Sequence, residues 1–108
     1  MATTYKVLGQ SNPAATTATT LYTVPAASSA VVSTITIANL GASSATYRIA
    51  IRPGGATLAN QHYLAYDVSI ATLDTMAITL GVTLAATDVI TVYASTATMA
   101  FAVYGVEQ

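Results

Sequence analysis

The segment Ala45 to Arg52, ATYRIAIR, sets apolar Ala45, Tyr47, Ile49 and Ile51 against Thr46, Arg48, Ala50 and Arg52. A period of two sends alternate side chains to opposite faces of an extended backbone, so one face is buried and the other is not. Val31 to Asn39 carries the same signal, with Val31, Ile35 and Ile37 on odd positions and Val32, Thr34 and Thr36 between them. Branching at Cβ restricts χ1 in a helix, so these residues favour strands. Tyr5–Leu8, Thr20–Val24, His62–Val68, Thr75–Leu80, Val89–Ala94 and Thr98–Tyr104 are further strand candidates. About eight short strands separated by turn signals predict an all-β fold, an antiparallel β-sandwich of jelly-roll type.

The turn residues agree. Arg52-Pro53-Gly54-Gly55 fits a type II turn, in which Pro fixes φ and the following Gly supplies φ > 0. Asn39 to Ser44 and Val24 to Ser29 are loops, the second opened by a proline that cannot donate to a ladder. Gln10 to Thr19, QSNPAATTAT, holds no large apolar side chain. Residues 1–19 therefore read as an N-terminal arm, or a first strand plus loop, ordered mainly by a partner. Residues 20–108 read as the sandwich domain. At 108 residues the chain is one domain.

Charge is the unusual quantity. Thr20 to Asn39 contains none, and charged residues make up 6% of the chain against about 25% in an ordinary domain. Mean hydropathy is +0.60. Polar residues nevertheless interrupt every apolar run, so no span of the roughly 20 residues that a membrane helix needs can be drawn. The opening MATTYKVLGQ predicts no secretory signal. Three cations, Lys6, Arg48 and Arg52, are too few for a phosphate-binding surface, which predicts no nucleic-acid partner. With no cysteine there is no disulfide framework, and oligomerisation becomes the natural route to robustness.

Candidate sites are sparse. His62 has no obvious nucleophile or orienting carboxylate and reads as a hydrogen-bonded strand or interface residue. Asp67, Asp74 and Asp88 lack calcium-loop spacing and read as strand-end residues. Tyr63, Tyr66, Tyr93 and Tyr104 fit either a sugar-binding platform or half-buried rings at subunit interfaces, the second being the simpler reading. Arg48 and Arg52 share one face of one strand, either solvated or anchoring acidic groups on a partner. In Val89–Ala94 and Thr98–Val106 both faces are apolar: Met99, Phe101 and Val103 point one way, Ala100, Ala102, Tyr104 and Val106 the other. Such strands need cover on both sides. Arg48, Arg52, Tyr93, Phe101, Ala102 and Tyr104 are therefore the expected interface residues. No catalytic residue, cofactor or metal site is expected.

Leu21-Tyr22-Thr23-Val24-Pro25, then Ala30 to Ile35 and Asn39, resembles small virion structural proteins of tailed bacteriophages. Tyr47 to Gly55, Asn60 to Asp67 and Leu84 to Ala94 carry the likeness over nearly the whole chain. The resemblance implies a non-enzymatic virion protein, made in the host cytoplasm, that associates with itself, as a trimer in similar modules. Its expected place is the capsid exterior, as a decoration (cement) protein on the major capsid protein. The alternatives are a tail, baseplate or fibre module and a carbohydrate-binding module. A short chain without a shaft segment favours decoration.

Overall fold

The computed structural model describes residues 3–108. Its strands are β1 (Thr4–Ser11), β2 (Thr19–Thr23), β3 (Ala30–Asn39), β4 (Ala45–Arg52), β5 (Tyr63–Ile70), β6 (Thr75–Leu84), β7 (Val89–Ala94) and β8 (Met99–Glu107). Two short 3-10 turns, Pro53–Gly55 and Asn60–His62, lie in the β4–β5 connection. Gly54 and Gly55 both take positive φ, 63° and 74°, and the Ala56 N–H donates to the Pro53 carbonyl, so the bonded turn is centred one residue beyond the type II turn expected. The strands form two four-stranded sheets, sheet A with order β1-β8-β3-β6 and sheet B with order β2-β7-β4-β5. All pairings are antiparallel. Every connection except β4–β5 crosses between sheets. That order is the eight-stranded jelly roll expected from the sequence.

The period-two pattern puts the core between the sheets. Val32, Ile35, Ile37, Met99, Phe101 and Val103 of sheet A meet Tyr47, Ile49, Ile90, Val92 and Ala94 of sheet B, each at most 2% exposed. The Phe101 ring meets Tyr47 edge-on, with centroids 6.3 Å apart. Phe101 is therefore a core residue and not the subunit contact expected of it. It shares the inward face of β8 with Met99 and Val103, where sheet B already covers it. Replacing Phe101 with Ala should remove about 3–5 kcal/mol of stability, read from urea unfolding.

One register detail departs from simple alternation. Both strands flanking β3 shift register between Val32 and Thr34. The bulge turns Val31 outward and Val32 inward, although alternation groups Val31 with Ile35 and Ile37. Gly105 lies opposite: a Cβ there would collide with the Val31 carbonyl oxygen. Only glycine lets the bulged backbone approach so closely.

The N-terminal segment belongs to the domain's own sheet. β1 pairs along β8 from Thr4↔Glu107 to Ser11↔Phe101, and Leu8 packs on the core. The following loop is tied by backbone-directed bonds. Asn12 Nδ2 donates to the carbonyls of Ala97 (3.0 Å) and Met99 (2.6 Å), and the Thr16 N–H donates to Ala94 (2.8 Å). Over residues 3–19 the arm reading thus gives way to a strand plus a tied loop; Met1 and Ala2 of the expected arm lie outside the described residues. Main-chain pairing anchors a segment whose side chains are too small to do so.

Asn39 closes one end of the sandwich. Its side chain, buried at 1% exposure, donates from Nδ2 to the carbonyls of Ser43 (2.9 Å), Ile70 (3.4 Å) and Ala71 (3.3 Å). Its Oδ1 accepts from the Gly41 N–H (3.0 Å) and the Thr98 hydroxyl (3.2 Å). One amide thereby joins three loops. Asn39→Ala strands these groups away from water and should cost about 1–3 kcal/mol. Asn39→Asp should cost more, because a carboxylate would face carbonyl oxygens; equal urea midpoints for wild type and both variants would contradict this role.

Candidate functional site

The cross-strand register arranges the outer face of sheet A in rows. Tyr5, Val106, Val31 and Thr83 form one; Val7, Tyr104, Thr34 and Thr79 the next; Gln10, Ala102, Thr36 and Ala77 the third. Ala100, Ala38 and Thr75 continue the pattern. Among the described residues these rows hold no charge. Tyr5 is 81% exposed, and Val7 and Val31 are also exposed. The Tyr104 hydroxyl lies 3.3 Å from Thr36 Oγ1. A shallow hollow of about 430 Å³ lies where Thr36, Ala38, Ala100 and Ala102 place small side chains beside Gln10.

The charges are elsewhere, and each has a partner inside the chain. Lys6 Nζ lies 3.0 Å from Glu107 Oε1, and the Tyr22 hydroxyl donates to Glu107 Oε2 (2.5 Å). Arg48 donates from Nε (2.6 Å) and from its terminal nitrogen (3.3 Å) to the Asp67 carboxylate. Arg52 donates to Thr91 Oγ1 (3.0 Å) and to the carbonyls of Gly55 (3.3 Å) and Ala56 (3.0 Å). Asp74 accepts from the Thr75 N–H (2.8 Å). Asp88 accepts from the N–H groups of Gly54 (2.8 Å) and Ala85 (2.9 Å). The chain's three cations and four carboxylates are thus all engaged internally.

On sheet B the chain covers part of its own outer face, along β7. The outward residues of β7 include Val89 and Thr91, each 6% exposed. Arg52 lies over Thr91 and clamps the Pro53–Gly55 turn, whose Gly55 sits beside Val89. The second apolar face of β7, which the sequence reading assigned to a neighbouring subunit, has intramolecular cover. Of the expected interface residues, Ala102 and Tyr104 lie outside sheet A, Arg48, Arg52 and Tyr93 lie outside sheet B, and Phe101 lies between them. The fold does not gather them into one site.

The outer face of sheet B carries an aromatic cluster. Tyr63 and Tyr66 are three residues apart, a spacing that regular alternation sends to opposite faces. The β5 register shifts twice against β4, between Tyr47 and Ile49 and between Ile49 and Ala50. Each shift adds a residue to β5, and Asp67 adopts a left-handed φ of 52°, which Asp tolerates better than most residues. The bulges bring both tyrosines to one side, with ring planes at 87° and centroids 4.9 Å apart. The Arg48 guanidinium lies 4.1 Å from the Tyr66 centroid and 4.2 Å from that of Tyr93. Asp67, expected near a strand end, is an interior bulge residue that fixes Arg48.

The remaining candidates have structural employment. His62 Nδ1 accepts the Ala59 N–H (3.0 Å) inside a 3-10 turn. Among the described residues no group of His, Cys, Asp or Glu could hold a metal ion, and no helix is long and apolar enough to cross a membrane. The Lys6–Glu107–Tyr22 network, which joins β1, β8 and β2, escaped the sequence reading because only the fold brings those strands together. Comparison with known proteins gives no matching family, no matching curated protein and no matching solved structure.

The ion pairs set a pH dependence. Hydrogen bonding from Tyr22, then from Lys6, holds the Glu107 carboxyl below its ordinary range, and the Arg48 hydrogen bonds do the same for Asp67. Burial, then the Glu107 contact, pushes the Tyr22 hydroxyl well above its ordinary value of 10.0. Depressed carboxyls contribute stability above their unfolded values and lose it as pH falls through the folded ones. The raised tyrosine contributes stability that is lost as pH climbs past about 10. The urea midpoint should therefore fall on both sides of a neutral plateau. Tyr22→Phe should flatten the alkaline limb and weaken the acid one; limbs identical to wild type would refute the assignment.

Proposed function

We propose that this chain is a non-enzymatic structural protein of a bacteriophage virion, a capsid decoration protein that packs the outer face of sheet A against other protein. The observation that carries this reading is the uncharged state of that face, among the described residues, beside the internal engagement of every charged side chain. Taking an ion out of water costs several kcal/mol unless a partner replaces the lost hydration. A face of Thr, Ala, Val and Tyr has no such penalty and offers aromatic and apolar contact.

Scale supports multiplicity. Four strands spaced about 4.8 Å apart and roughly 30 Å long present a footprint of roughly 500–600 Å². A standard interface buries about 800 Å² on each partner. One copy alone therefore docks with modest area, and firm attachment comes from copies that also hold one another, as the trimers implied by the resemblance would do. Repeated around a closed shell, such contacts raise the barrier to opening without any chemistry. Light scattering on the concentrated protein should give an oligomer; a monodisperse monomer would remove self-association from the proposal.

Particles assembled without the protein should keep their shape but lose packaged DNA at lower temperature or under a chelator. Adding back purified protein should restore stability. The Val31→Asp variant, altered at an exposed position of sheet A, should fold normally yet bind particles at least about a hundredfold more weakly, since docking would bury an unpaired charge. Particles that hold DNA normally and fail to adsorb to cells would instead place the protein on the tail.

A further inference from the structure

We propose that the corner formed by Tyr63, Tyr66 and Asn60 on the outer face of sheet B is a binding site for a neutral saccharide. The three residues line an open hollow of about 410 Å³. Its two rings stand nearly perpendicular, at 87°, so a bound sugar ring meets an aromatic face on one side and an aromatic edge on another. The carbon-bound hydrogens on one face of a pyranose stack against a ring, while its hydroxyls project sideways toward polar groups. The two tyrosine hydroxyls and the Asn60 amide supply such groups at the rim.

The corner is built in advance of any ligand. Tyr66 is 55% exposed, an exposure at which a tyrosine usually moves freely. Here the Arg48 guanidinium backs its ring at 4.1 Å, and Asp67 fixes Arg48 through two hydrogen bonds. Two bulges in β5 and the left-handed backbone of Asp67 depart from regular strand geometry, and they are what sets both rings on one side. Departures of this kind concentrate at functional sites. A second hollow of about 220 Å³ lies across Tyr63 and is lined by Arg48, Tyr93 and Leu58 among others. Tyr63 thus divides two adjacent hollows, room for more than one sugar unit.

The electrostatics choose among ligands. Arg48 is compensated by Asp67, so the cluster offers no unpaired charge to an anionic or cationic group. Among the described residues the main hollow is lined by Tyr63, Tyr66 and Asn60, side chains that suit an uncharged, hydroxyl-rich molecule with an apolar face. Position agrees, because the outer faces of sheets A and B point in opposite directions. A copy docked through sheet A presents this corner to solvent. The site itself belongs to the isolated domain and stands whether or not the docking proposal does.

The test applies the purified full-length protein to an array of neutral hexose and N-acetylhexosamine oligosaccharides, followed by saturation-transfer NMR at millimolar ligand on any oligosaccharide retained. At least one neutral oligosaccharide should bind. Tyr66→Ala and Tyr63→Ala should each weaken it about tenfold or more, and Asn60→Ala should weaken it less. Tyr5→Ala, on the opposite sheet, should bind as wild type does. Thermal melts confirm that each variant is folded, and Asn60→Ala, which leaves both rings in place, serves if a tyrosine variant is not. Failure of every neutral oligosaccharide to bind would overturn the proposal. So would binding restricted to charged glycans or peptides, or binding unchanged in both folded tyrosine variants.

Discussion

Every charged side chain of this molecule is engaged inside the chain, two pairs as ion pairs and the others by hydrogen bonds to neutral groups. With three cations and four carboxylates in 108 residues, charge is scarce, and the fold uses it at joints. Lys6 and Glu107, with the Tyr22 hydroxyl, bridge the two sheets at one edge. Arg52 and Asp88 hold the turn after β4. Arg48 and Asp67 brace the bulged strand β5. What remains, among the described residues, is a four-stranded face with no charged side chain to repel a neighbour or to desolvate. An exposed face of that kind is unusual on a protein that works alone.

The two faces of the sandwich differ because their connections differ. Outside sheet B, the turn after β4 lies against β7 through the Arg52 clamp, and the β1–β2 loop borders β7 along its edge through the Thr16–Ala94 bond. Among the described residues no comparable segment crosses sheet A, where Tyr5, Val7 and Val31 stay exposed. The sandwich therefore covers part of one outer face with its own chain and leaves the other open. The fold alone does not select a function, since capsid and lectin domains both use it. The separate chemistry of the two faces is what would make the proposed docking and ligand-binding roles compatible in one small domain.

Much of the architecture was legible in the sequence, because a jelly roll is written in alternation and turns. Ala45–Arg52 emerges as β4 within its expected bounds, and Met99, Phe101 and Val103 do share one face of β8. What alternation could not deliver were the places where the backbone breaks period. The bulge beside Ser33 exchanges Val31 and Val32. The bulges around Asp67 set Tyr63 and Tyr66 on one side, against their spacing. Small side chains hid the anchoring of Gln10 to Thr19, which relies on backbone bonds. The expected contact residues scatter over both faces and the core, because two apolar faces of a strand say that cover exists without saying whose it is.

We propose sheet A's outer face as the surface where this protein meets other protein. Hydroxyl-radical footprinting of the chain, free and on the intact particle, tests it most directly. Tyr5, Val7 and Val31 should be oxidised readily in the free protein and protected on the particle, while Tyr66, on the outer face of sheet B, reacts equally in both. Protection of Tyr66 with Tyr5 and Val31 still reactive would place the contact on the other side and contradict the docking proposal.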